Sequence, residues 1–148
     1  YTTLFRSLTL SGTGGGTGAL FNTSGSNAFS GAITLASNTT IGSSAGTLTL
    51  GNGGITGPQN LTFAGAGNTT VNGIIGTGTG TLTKNGSGTL TLSGVNTYSG
   101  ATSVNAGALN IQNTAALGSS SATIASGAQL QAQGNIAPTN VLTLNSCF

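Results

Sequence analysis

Residues 82–109 read LTKNGSGTLTLSGVNTYSGATSVNAGAL, and this stretch decides the fold. Leu90 and Leu92 flank Thr91, and the same alternation recurs wherever the chain is apolar. Ile33 and Leu35 flank Thr34, Leu48 and Leu50 flank Thr49, and Leu61 and Phe63 flank Thr62. Further along, Leu109 and Ile111 flank Asn110, and Leu142 and Leu144 flank Thr143. A period of two over three to five residues marks half-buried strands. Clusters of Gly, Asn and Ser punctuate them, and these residues together with Thr make poor helix interiors. The chain reads as all-β. Asn85-Gly86, between two alternating runs, is by itself a strong hairpin signal. The full connection is Asn-Gly-Ser-Gly, however, and four residues can equally turn a corner between two sheets.

The chain also repeats itself. SGSNAFSGAITL at residues 24–35 and SGVNTYSGATSV at 93–104 share six of twelve positions at an offset of 69, with Phe29 aligned on Tyr98. An aromatic before Ser-Gly in both copies suggests one shared structural slot. The stretch from Leu82 to Leu109 resembles the autotransporter-associated β-strand repeat, also called the passenger-associated transport repeat. That pattern runs L-T-K-x-G-x-G-T-L-T-L-S-G-x-N-T-Y-x-G-x-T-x-V-x-x-G-x-L. Its positions fall on Leu82, Thr83, Lys84, Gly86, Gly88, Thr89, Leu90, Leu92, Gly94, Asn96, Tyr98, Gly100, Val104, Gly107 and Leu109. The chain departs from it chiefly at Ala101-Thr102-Ser103. Degenerate copies extend the likeness over residues 8–112 and weakly to the end.

The resemblance implies a right-handed, single-stranded parallel β-helix within large proteins exported to the surface of Gram-negative bacteria. It also implies an outer-membrane export barrel as partner, and a link to efficient passage across that membrane. With it, the corner is the preferred reading of Asn85–Gly88; without it, an antiparallel β-sandwich would be favoured. At roughly 20–22 residues per coil, residues 8–148 would form about six or seven coils. The predicted inward set is Ile33, Leu35, Leu48, Leu50, Leu61, Phe63, Val71, Leu90, Leu92, Val104, Leu109, Ile111, Leu130, Leu142 and Leu144, with the interleaved Thr outward. A slip of one residue would expose a strand's whole apolar set. Lys84 shares the parity of Leu82, so its ammonium is expected to reach solvent at a rim.

Composition excludes most chemistry. Of 148 residues, 27 are Gly, 27 Thr, 17 Ser and 15 Asn, more than half the chain, against two charges and no Asp, Glu or His. General acid–base catalysis draws on His, carboxylates, Lys, Tyr and Cys, and metal sites need carboxylates, imidazoles or several thiolates. No enzyme, cofactor or metal site is expected. Gly42-Ser43-Ser44-Ala45-Gly46 satisfies the G-x-S-x-G elbow, but a triad lacks its His and its acid. Two isolated cations cannot supply the phosphate contacts that nucleic acid requires. Disorder usually pairs low hydrophobicity with high net charge, whereas this chain is 36% hydrophobic with two charges. Cys147 stands alone beside the end and is read as incidental. Five N-x-S/T sequons, at Asn22, Asn38, Asn60, Asn68 and Asn85, match what so much Ser and Thr produces by chance.

Residues 1–7, YTTLFRS, break the composition and resemble the translation of a short-read sequencing adapter. They are expected to be non-native, as in a metagenomic fragment, with one repeat segment over 8–148. Tyr98 and Phe29 are read as aromatic plugs of the core. The expected role is a structural stalk of a secreted or surface-displayed passenger that assists export and displays other regions, adhesive ones among them. Its immediate partners would be neighbouring coils. The alternative is an ice- or surface-binding β-helix using outward Thr-x-Thr pairs (Thr47/Thr49, Thr81/Thr83, Thr89/Thr91). Their spacings of 34 and 8 residues are not a coil length, which argues against it.

Overall fold

The computed structural model describes residues 6–145. The adapter reading at Tyr1–Phe5 and the thiol of Cys147 lie outside the described residues. Every strand pairing among the described residues is parallel. The chain winds into a β-solenoid of about seven turns with almost no helix, and the antiparallel sandwich is thereby set aside.

Three faces make up the coil. The first holds Ser7–Gly12, the start of Ala32–Ser43, Ile55–Thr56 and Ile75–Gly76. The second holds Leu20–Asn22, the end of Ala32–Ser43, Leu61–Ala64, Leu82–Lys84, Thr102–Val104, Ala122–Ile124 and Leu142–Leu144. The third holds Ser26–Phe29, Thr47–Leu50, Asn68–Val71, Thr89–Leu92, Ala108–Ile111 and Gln129–Ala132. On the second face Leu61, Leu82, Thr102, Ala122 and Leu142 are successive partners, so a coil takes 21 residues and then 20 three times. The first coil is longer, since Leu8 pairs with Ile33, and the surplus forms a loop containing the 3-10 turn Gly14–Gly16. Asn85–Gly88 turns the corner from the second face to the third, as the repeat implied.

Alternation follows from the parallel register. Partners in a parallel ladder point the same way, so inward residues stack into columns about 4.8 Å apart. On the third face the column is Phe29, Leu50, Val71, Leu92, Ile111 and Ala132. From Ile33 through Ile111 every residue of the predicted inward set is at most 4% exposed. Full burial of each such side chain contributes roughly 1.5–3 kcal/mol. Thr49, Thr62 and Thr91 point outward and remain partly exposed. The upper end differs. Leu130 is half-buried, and Leu142 and Leu144 are 39% and 65% exposed although they continue the columns of Ala122 and Ile124. They point inward, but no described rung covers them.

The offset of 69 does not mark one slot. Phe29 pairs with Leu50 on the third face, whereas Tyr98 follows Thr97, whose N–H donates to Ile75 of the first face. Sixty-nine residues are not a whole number of coils of 20 or 21, so the two copies sit at different angles around the axis. The sequon asparagines, by contrast, act alike, because each ties one coil to the next. Asn38 Oδ1 accepts from Asn60 N at 3.1 Å, Asn60 Oδ1 from Thr81 N at 2.9 Å, and Asn68 Oδ1 from Thr89 N at 2.9 Å. Asn22 donates to Ser43 Oγ and the Ala45 carbonyl, and Asn85 Oδ1 accepts from Asn105.

Candidate functional site

The repeat residues gather inside the solenoid rather than on a surface. Leu82, Lys84, Leu90, Leu92, Asn96, Tyr98, Val104 and Leu109 are all buried. Thr83 and Thr89 face outward, and Gly86, Gly88, Gly94, Gly100 and Gly107 lie at the turns between faces. Three of the buried groups are polar, and each is satisfied in its own way.

Lys84 corrects the expectation of a rim ammonium. It is 4% exposed and occupies the inward column between Phe63 and Val104. Its parity is the expected one, and its destination is not. The chain turns directly after it, and Nζ donates to the carbonyls of Asn85 at 3.0 Å, Gly86 at 2.6 Å and Ala106 at 3.4 Å. An ammonium has three protons to place, and three carbonyls receive them. Burial pulls its pKa below the usual lysine value, because desolvation disfavours the charged form.

Asn96 replaces a strand rung with its side chain. Oδ1 accepts from Ile75 N in the coil below at 2.7 Å, and Nδ2 donates to the Ala116 carbonyl in the coil above at 2.6 Å. Tyr98 is fully buried, which fits a core plug and leaves no face for stacking against a sugar. Its hydroxyl lies 2.9 Å from Thr102 Oγ1, which lies 2.7 Å from Ser120 Oγ, and that hydroxyl donates to the Ser121 carbonyl. Ser120 carries no signal in the sequence; it becomes Thr102's partner only through the coil.

Burial pushes the Tyr98 phenol up to about 12, against the smaller opposing effect of its hydroxyl partners. An unfolded tyrosine titrates near 10, so between these values the unfolded chain loses a proton that the folded chain keeps. Stability is therefore expected to be intact below about pH 10 and to fall by about 3 kcal/mol as pH rises to about 12. Lys84 acts with the opposite sign, since its lowered pKa makes stability rise toward its unfolded value near 10.4. Denaturant midpoints across this range should pass a shallow maximum and then drop, and Tyr98→Phe should remove the drop. An unchanged alkaline drop in Tyr98→Phe would count against this assignment.

Among the described residues no three His, Cys, Asp or Glu side chains come together. A cavity of about 400 Å³ lies between Ile124, Ala128, Leu130 and Leu144, and it is the uncovered interior of the last described coils. The outward threonines correct the spacing argument in part. Thr47/Thr49 and Thr89/Thr91 do stand at one position of the third face, two coils apart, with Asn68/Thr70 between them. Thr81/Thr83 belongs with the second face, where Thr83 stands between Thr62 and Ser103. On the third face the pattern continues as Ala108/Asn110 and Gln129/Gln131, so the paired hydroxyls do not persist along the solenoid.

These features define a class: a parallel β-solenoid whose coils are held by an apolar core and a few satisfied polar ties. Residues 82–111, about a fifth of the chain, match the family model of the passenger-associated-transport-repeat. No curated protein and no solved structure matches the chain significantly. Repeat and solenoid together support a structural role of the autotransporter-passenger kind.

Proposed function

We propose that this chain is a non-enzymatic stalk segment of a secreted or surface-displayed passenger, which assists export across the outer membrane and displays other regions, including adhesive ones. One observation carries the reading: each rung pairs in parallel with a rung 19 to 22 residues earlier through most of the coil. A coil can therefore fold on its predecessor as soon as it emerges, and stability accrues by nearest-neighbour stacking. Stepwise folding outside a pore opposes backsliding of the chain. The scarcity of charge fits a scaffold whose specificity resides elsewhere in a parent protein.

The test is display of the chain fused to an outer-membrane export barrel. Deleting residues 82–101 removes one coil step, from Leu82 to Thr102, and should lower the surface-exposed passenger severalfold. Deleting 61–81, the step from Leu61 to Leu82, removes nearly equal length and should cost less. Display equal to the parent in both deletions would overturn the export role.

A further inference from the structure

Asn-Gly occurs three times, at residues 52–53, 72–73 and 85–86. All three pairs sit at corners outside the strands. Asn-Gly is the dipeptide best suited to attack of a backbone nitrogen on the preceding side-chain amide, because glycine has no Cβ to obstruct it. The surroundings of the pairs differ. Asn52 is exposed. Asn72 Oδ1 lies 3.0 Å from Ser93 Oγ. At Asn85 two groups converge. Asn105 Nδ2 donates to Oδ1 at 2.9 Å, and Lys84 Nζ donates to the backbone carbonyl at 3.0 Å and to that of Gly86 at 2.6 Å.

We propose that Asn85-Gly86 is a self-modification site, at which the fold promotes closure to a cyclic imide with loss of ammonia. The Asn85 carbonyl is conjugated with the Gly86 nitrogen. An ammonium on its oxygen therefore stabilises the amidate formed when that nitrogen gives its proton to solvent. The nitrogen bonds to Asn85 Cγ, negative charge develops on Oδ1, and Asn105 already donates to this oxygen. The Cγ–Nδ2 bond then breaks, and Nδ2 leaves as ammonia with a proton from water. Water opens the imide to an aspartate or isoaspartate at position 85, and nothing is oxidised or reduced. Asn85 and Gly86 are partly exposed, so water reaches them, whereas Gly73 is buried. The product is a carboxylate in a chain whose side chains include none, on the residue whose carbonyl holds the Lys84 ammonium. Exposure alone would give another order, since a fixed corner restricts the approach of nitrogen to Cγ and the exposed turn at Asn52 would react first.

The test is peptide mapping by mass spectrometry of the full chain during incubation at mildly alkaline pH, following conversion at each pair. In the folded chain position 85 should convert faster than 72 and 52, and this advantage should vanish in denaturant. Asn105→Ala removes the donor to Oδ1 and should slow position 85 about tenfold, the contribution of one charge-assisted hydrogen bond. Asn105 is exposed, so this variant keeps the fold. Lys84→Met removes the ammonium and should bring position 85 down to the rate at 72. There a hydroxyl meets Oδ1, without an ammonium on the backbone carbonyl among the described residues. The rate at 52 should not change in either variant, which separates a local effect from general loosening of the coils. Conversion at 85 no faster than at 52 and 72 in the folded parent would overturn the proposal. So would an unchanged rate at 85 in either variant.

Discussion

Replacing Tyr98 with alanine is expected to lower stability by about 3–5 kcal/mol. The ring is among the largest fully buried side chains of the described residues, and a close-packed core relaxes only partly around a void. Its loss also leaves Thr102 without the hydroxyl that now lies 2.9 Å away, though Ser120 remains. Because each coil contacts only its neighbours, the damage should be local, opening the coils that contain Ile75, Tyr98 and Gly118 before the rest. Tyr98→Phe keeps the ring and should cost about 1 kcal/mol, the net worth of one hydrogen bond. Equilibrium denaturation measures both. A Tyr98→Ala midpoint indistinguishable from the parent would show that the plug carries no load.

A comparable loss is expected from Gly88→Val, by overcrowding instead of a void. A Cβ at Gly88 would overlap the carbonyl of Gly67 in the coil below and meet Ala66 O at 3.0 Å. The obstacle is backbone, which cannot rotate aside as a side chain does. Forcing extra atoms into a packed site costs typically about 1–3 kcal/mol, and the rigid carbonyl puts this position at the upper end or above. Gly78 provides the comparison. It has φ +58 but nothing within 4 Å of a Cβ, so Gly78→Ala should cost only the left-handed backbone penalty, about 1–2 kcal/mol. Thermal midpoints of the two variants separate close stacking from backbone conformation. Equal losses would refute the stacking account.

How much of the structure is legible in the sequence varies by feature. Period-two alternation identifies the inward residues from Ile33 to Ile111 because a strand's side chains must take opposite faces. It cannot identify Leu142 and Leu144 as exposed, since exposure depends on what lies above a rung and not on the rung itself. The corner at Asn85–Gly88 is legible only through the family repeat, because Asn-Gly serves a hairpin and a corner equally. Alternation puts Lys84 on the correct side of its strand, yet nothing local announces that Ala106, 22 residues away, brings a third carbonyl to the ammonium. Similarity of sequence equates Tyr98 with Phe29, although coil length governs which residues stack. Asn96, Ser120 and the sequon asparagines acquire partners about one coil away, a distance at which a linear reading has no geometry.

The ties between coils run along the axis of the solenoid, and this direction governs its mechanics. Tension along the axis loads the coils in series, so the terminal rung detaches alone while those behind it stay intact. Tension across the axis must instead shear all the hydrogen bonds between two adjacent coils at once and meets greater resistance. A coil of 20 residues releases roughly 70 Å of slack at the ~3.3–3.6 Å per residue of extended chain. Tension along the segment would thus be taken up by lengthening in discrete steps of one coil.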